Sequence, residues 1–144
     1  QGTGEWRQKV KRLLTRFLWD KAILSDDRRL TELYALRSLA DCGRQPRHTD
    51  SAPEQSLRHK SPDDVPLAMI YALEDNTRLK VWPFDDEFCV VNLKKGDMVV
   101  FRGDMAHCGF EYSVMNTRIH AYIDSNKEDC KRRKGSTWIG DEQK

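Results

Sequence analysis

Four residues in this chain have the types and spacing to do chemistry together. His48-Thr49-Asp50 places an imidazole and a carboxylate two positions apart. Side chains two apart on a strand share a face, so both can converge on one ion. His107 lies far downstream at the edge of an apolar segment and would bring a third ligand from another strand. Two imidazoles and one carboxylate on one face of an octahedron leave three positions open, which suits non-haem Fe(II) oxygen chemistry. Arg118 sits inside the next apolar run. A buried arginine needs an anionic partner.

Strands must hold these residues. Residues 67–73, 79–82, 88–93, 98–102, 108–113 and 117–123 are short apolar runs. Their separators are rich in Gly, Pro, Asn and Asp, as in Glu74-Asp75-Asn76, Lys95-Gly96-Asp97 and Gly103-Asp104. The spacing predicts a mainly β sandwich or barrel. Over 117–123, alternation puts Arg118, His120 and Tyr122 on one face and Ile119, Ala121 and Ile123 on the other. Residues 31–40 fit a helix or a strand and are read as a strand after a helical start. Pro46 favours an extended approach to 47–50. Near the N-terminus, Trp6, Val10, Leu13, Leu14, Phe17 and Leu18 recur at helical spacing opposite Arg7, Lys9, Lys11, Arg12 and Arg16. That predicts a helix packed on the core with a basic outer face. Ser25-Asp26-Asp27 is read as the cap of a second, short helix.

The 144 residues are enough for one domain with its own core. With 33% charged and 38% hydrophobic residues the chain reads as globular, and no apolar run approaches the ~20 residues of a membrane span. Without an initiator Met or an apolar leader, the start reads as that of a trimmed fragment. The four cysteines form no C-x-x-C pair, which argues against a zinc knuckle and for a reducing compartment, cytoplasmic or nuclear. A net charge of +2 is too small to imply nucleic acid by itself. Residues 51–64 read as a long loop of the kind that forms lids, and residues 125–144 as a polar tail carrying the basic run 131–134.

Several short motifs, taken in order, resemble the Fe(II)/2-oxoglutarate-dependent oxygenases. They are HTD at 48–50 with its QPR entry at 45–47, N-T-x-L-x-V-x-P at 76–83, L-x-x-G-D-x-x-x-F at 93–101, H-x-G at 107–109 and N-x-R at 116–118. The resemblance covers about residues 31–124. It implies a double-stranded β-helix, a jelly roll of eight strands, with N-terminal α-helices packed on one sheet. Residues 31–40 would then be its first strand. The domain would run over 1–124, with helices in 1–30 and the jelly roll in 31–124, followed by the tail.

The same resemblance implies that His48, Asp50 and His107 bind Fe(II), and that Arg118 pairs with the distal carboxylate of 2-oxoglutarate. Tyr71, on the third strand, is read either as reaching that cosubstrate or as a core or rim tyrosine. O2 is the other cosubstrate, and 2-oxoglutarate would leave as succinate and CO2 while a primary substrate is hydroxylated or demethylated. That substrate is a small molecule, a protein side chain or a nucleic acid, and no membrane partner is implied. Asp124 stands where an alkylated-nucleobase dioxygenase would carry a second arginine, which disfavours that subfamily. His120 is read as structural or as supporting the ligands, Trp82 as core, Arg78 and Lys80 as surface charges, and His59 as solvated. The competing readings are a non-enzymatic jelly-roll binding module with a vestigial metal site, and a metal-binding cupin.

Overall fold

The computed structural model describes residues 3–51, 64–84, 87–127 and 138–139. Helix α1 spans Thr3–Asp20. Val10, Leu14 and Leu18, spaced four apart, turn inward onto Leu24, Leu30, Leu33, Met69, Ile119, Ala121 and Ile123. The apolar stripe of the sequence is wider than the surface covering it, so Trp6, Leu13 and Phe17 stay exposed. The helix ends where Ala22 turns left-handed (φ 56°). There the Ile23 N–H donates back to the Leu18 carbonyl at 2.9 Å, which closes the last turn.

The second helix expected after Ser25 does not form. Ser25 Oγ accepts the Asp27 N–H at 3.3 Å, making a turn, and the chain goes straight into β1, Arg28–Leu30. Ser and Asp serve turns as readily as helix caps, and here the open edge of a long strand decides. That strand is β9, Asn116–Ser125, to which β1 pairs from Arg28↔Ser125 to Leu30↔Ile123. The ambiguous segment is a strand, β2, Tyr34–Ser38, which continues along the same edge of β9.

The remaining strands are β3 His48–Thr49, β4 Leu67–Ala72, β5 Thr77–Phe84, β6 Glu87–Leu93, β7 Met98–Arg102, β8 Ala106–Gly109 and β10 Trp138–Ile139. They form two antiparallel sheets, one ordered β1-β9-β4-β7 with β2 also on β9, the other ordered β10-β3-β8-β5-β6. From β2 to β9 the chain alternates between the sheets, except for the hairpin β5–β6. That topology is an eight-stranded jelly roll, as expected. The run predicted as strand 108–113 is shorter at its end, because Tyr112 turns in. Its hydroxyl accepts the Arg78 N–H at 2.9 Å and donates to the Arg78 carbonyl at 3.0 Å.

Each face of the first sheet is covered. Met69, Ile119, Ala121 and Ile123 face α1, while Ala68, Ile70, Ala72, Leu79, Val81, Leu93 and Phe101 fill the space between the sheets. The 93–101 motif has a mechanical reading. Gly96 adopts φ 91°, and the Asp97 carboxylate accepts the Lys94 N–H at 2.9 Å, so the chain reverses from β6 into β7. The tail is not wholly detached: Trp138 and Ile139 pair with Thr49 and His48 at the edge of the second sheet. The basic run 131–134 and most of the 51–64 loop, His59 included, lie outside the described residues. Among the described residues no helix is long and apolar enough to cross a membrane.

Candidate active site

Adjacent strands of one sheet set the three candidate ligands. His48 on β3 pairs directly with His107 on β8, and His107 with Val81 on β5. The two imidazoles therefore face the same side, with ring centroids 4.4 Å apart. The turn after β7 fixes the depth of the other residues. Its Gly103 carbonyl accepts the N–H groups of Asp50 (2.9 Å) and Ser51 (3.0 Å), while the Gly103 N–H donates to Pro66 (2.8 Å). A Cβ at Gly103 would stand 3.1 Å from the Pro66 oxygen and 3.3 Å from Ser51 Oγ, so a larger residue would push these segments apart by a few tenths of an ångström. The Asp104 carboxylate receives Arg102 through two bonds of 2.9 and 2.7 Å, which stiffens the same turn. One turn thus holds Asp50 by its backbone and leads directly into the strand bearing His107.

Backbone carbonyls choose the tautomers. His48 Nδ1 lies 2.9 Å from the Pro46 oxygen and His107 Nδ1 lies 2.9 Å from the Met105 oxygen. A carbonyl only accepts, so each neutral ring carries its proton on Nδ1 and presents a bare Nε2. His48 Nε2 is 3.9 Å from Asp50 Oδ1, and His107 Nε2 is 3.6 Å from Asp50 Oδ2. One ligand atom from each of the three lies within 4.8 Å of the others. Neighbouring ligands around an ion at about 2.1 Å sit about 3 Å apart, so this set is already near coordination spacing. Burial lowers the His107 pKa and His48 adds to the effect, against the opposing pull of Asp50 and the Met105 carbonyl. A lowered pKa keeps the imidazole neutral and able to bind a metal. Asp50 Oδ2 is buried with no hydrogen bond. A buried carboxylate with an unsatisfied oxygen, set beside two bare imidazole nitrogens, is what a divalent cation would complete, so the residues fit one.

Arg118 lies on β9, in the opposite sheet, facing inward as alternation requires. It is 4% exposed. Its guanidinium donates to Ser38 Oγ at 3.0 Å and lies 5.5 Å from the centre of the Tyr112 ring. No carboxylate among the described residues forms an ion pair with it. Gly109 lies beside it and donates its N–H to Gln45 Oε1 at 3.2 Å; a Cβ there would crowd that oxygen at 2.9 Å and touch Arg118 Nη2 at 3.5 Å. Asn116 has a supporting role: its Nδ2 donates to Thr77 Oγ1 at 3.1 Å, tying the start of β9 to the start of β5.

Tyr71 is not brought to this site. It packs with the cluster beneath α1, on the face of β4 opposite Ala68, Ile70 and Ala72. Trp82 is not core but half-buried on the outer face of the second sheet. There it stacks with Arg47 (4.8 Å) and Lys80 (5.0 Å), and Lys80 also covers Phe88 at 3.6 Å. Arg78 and Lys80 are half-buried against aromatic rings, rather than free surface charges. Cys108 points away from the ligands as its register demands, and burial raises its thiol pKa. Sequence reasoning missed Ser38, Gln45 and Tyr112 around Arg118. Ser38 is placed by the pairing of β2 with β9, and no local spacing signals it.

No protein-family profile matches the chain, and neither does any curated protein. Solved structures do match. A 2OG-Fe(II) oxygenase family oxidoreductase from Burkholderia pseudomallei aligns over 83% of this chain and 54% of its own, at 20% identity and TM-score 0.60. AviO1 from Streptomyces viridochromogenes Tue57 aligns over 78% and 57% at 15% identity and TM-score 0.58. A prolyl hydroxylase from Trichoplax adhaerens, solved with a hypoxia inducible factor peptide fragment, aligns over 70% and 46% at 14% identity and TM-score 0.54. The chain spans about half the length of these proteins. Its fold is the double-stranded β-helix of 2OG-Fe(II) oxygenases.

Proposed function

We propose that the protein is an Fe(II)- and 2-oxoglutarate-dependent dioxygenase that hydroxylates or oxidatively demethylates a primary substrate. The observation that carries this reading is a pair of buried charges, Asp50 and Arg118, each on an inward-facing position and neither joined to a Lys, Arg, Asp or Glu among the described residues. Buried Asp50 lies beside His48 and His107, and buried Arg118 faces the same interior from the other sheet. The first wants a cation and the second an anion. Fe(II) chelated by 2-oxoglutarate, whose far end is a carboxylate, supplies both.

His48, Asp50 and His107 would hold the metal, which when bound activates O2 for oxidation of substrate coupled to decarboxylation of the 2-oxo acid. The chain's own residues orient and shield. Arg118, steadied by Ser38 and Tyr112, would hold the distal carboxylate through a charge-assisted pair. Phe101 packs edge-on against the His107 ring at 4.8 Å, fixing its plane and keeping water from its inner side. The Pro46 and Met105 carbonyls keep the ligating nitrogens bare.

The test is succinate formation from 2-oxoglutarate in the presence of Fe(II) and O2, with and without His107→Ala. Turnover, even uncoupled from a primary substrate, is expected from the wild-type chain and not from the variant. Absence of both turnover and metal binding in the wild-type chain would replace this reading with that of a jelly-roll binding module.

A further inference from the structure

The second sheet turns His48 and His107 inward and presents a different chemistry on its outer face. Strand register sets Lys80 on β5 opposite both Val90 on β6 and Cys108 on β8, while the neighbouring Leu79 and Val81 fill the core. Alternation then sends Arg78, Trp82 and Phe88 to the same outer face as Lys80. Charges and rings interleave across it. Lys80 Nζ lies 3.6 Å from the centre of the Phe88 ring and 5.0 Å from that of Trp82. Arg47 stacks on Trp82 at 4.8 Å, and Arg78 covers Phe110 at 4.2 Å. Phe88 is 54% exposed and Val90 43%, large values for apolar side chains on a strand. A cavity of about 140 Å³ opens on this face, lined by Arg44, Lys80, Phe88, Cys108, Phe110 and Glu111. It thus holds two cations against one carboxylate. Among the described residues Arg44, Arg78 and Lys80 form no ion pair with a carboxylate.

We propose that this face binds single-stranded nucleic acid, with Arg44 and Lys80 taking a phosphate at the cavity and Phe88 and Trp82 stacking bases beside it. The surface lies on the back of the strands that carry His48 and His107, so it stands whether or not the metal site does. A single strand repeats a negative charge and a flat apolar base at every step. Binding that tolerates any sequence combines a cationic groove with aromatic platforms, which is the pattern here. A cation over an exposed ring is held weakly, so Lys80 can turn to a phosphate and leave the Phe88 face to a base. An acidic peptide offers the charges without the flat faces. A duplex offers the charges but keeps its bases stacked on one another, so neither of these partners uses the rings.

The experiment uses the full chain and a fluorescein-labelled oligothymidylate of about twelve nucleotides, followed by fluorescence anisotropy over a range of salt. Wild type should bind with a Kd below about 100 µM at about 50 mM salt. Unlabelled oligothymidylate should displace the probe, whereas a duplex of the same length and an oligoglutamate of the same charge should compete poorly. Phe88→Ala, at an exposed position, should weaken binding by about 5–150-fold with the salt dependence unchanged. Lys80→Gln should also weaken it, and should make the slope of log K against log salt shallower by about 0.7, as for one lost phosphate contact. Lys9→Gln removes the same charge from exposed α1, on the far side of the molecule, and should match wild type. No binding by wild type overturns the proposal. So does competition by the duplex or the oligoglutamate equal to that of the oligothymidylate, an arm that needs no variant. A loss under about fivefold in Phe88→Ala removes the stacking role and the proposal with it. Lys9→Gln as weak as Lys80→Gln would assign the binding to overall charge and overturn it as well.

Discussion

Arg118→Met isolates the anion site from the metal site. In the free protein the guanidinium is 4% exposed, its side-chain partner is the neutral hydroxyl of Ser38, and no described carboxylate pairs with it. Replacing a buried charge by an unbranched apolar side chain removes a desolvation cost, so the metal-loaded variant without cosubstrate should unfold at the wild-type temperature or above. The wild-type chain should respond strongly to 2-oxoglutarate. At a hundred times its Kd a ligand stabilises the folded state by about 2.7 kcal/mol. With about 3–4 °C per kcal/mol for a domain of this size, Tm should rise by about 8–10 °C. Arg118→Met forfeits a two-bond, charge-assisted contact. Taking about 1.5–3 kcal/mol for each bond, affinity falls by about two to four orders of magnitude, and at the same ligand concentration the shift should nearly vanish. The assay is thermal unfolding with Co(II) present, with and without 2-oxoglutarate, alongside a Co(II) titration. An undiminished shift in Arg118→Met, or loss of Co(II) binding in that variant, would refute the assigned role.

Three further outcomes follow from the geometry. Leu18 is fully buried between α1 and the first sheet, so Leu18→Ala should cost about 2–5 kcal/mol in urea unfolding; a cost under about 1 kcal/mol would mean that α1 is not docked as described. His107 has a folded pKa below its unfolded value because it is buried. As pH falls through about 6.5 the unfolded chain takes up a proton that the folded chain refuses, so metal-free protein should lose stability on acidification, at up to about 1.4 kcal/mol per pH unit from this group. His107→Gln should flatten that slope in urea midpoints measured from pH 8 to 5. Gly109→Ala would place a Cβ 2.9 Å from Gln45 Oε1 and 3.5 Å from Arg118 Nη2. It should raise the 2-oxoglutarate concentration needed for half-saturation while leaving Co(II) affinity within about threefold, a change smaller than loss of a ligand-orienting group.

The period of two on β9 was enough to send Arg118 inward and Ile119 outward, because one face meets the opposite sheet and the other meets a helix. The same rule fails on β4. Leu67 to Ala72 is apolar at every position, since both faces are covered, and no alternation says which side Tyr71 takes. The helix stripe shows a related limit: spacing marks Leu13 and Phe17 as apolar-face residues, but the sheet covers only the line through Val10, Leu14 and Leu18. Ser25-Asp26-Asp27 illustrates a third, where one local signal serves two structures and the free edge of β9 selects the turn.

By itself the sequence determined which residues are candidates for the site and their order along the chain. His48, Asp50, His107 and Arg118 are unusual residue types at strand positions, and strand periodicity is a local property written in adjacent residues. Only the tertiary structure decided the contacts between strands distant in sequence. It placed the Gly103 turn under Asp50, Ser38 and Tyr112 around Arg118, and His120 across the barrel from the candidate ligands. Those placements depend on strand register and sheet order, which are fixed by packing of the whole core and leave no mark at any one position.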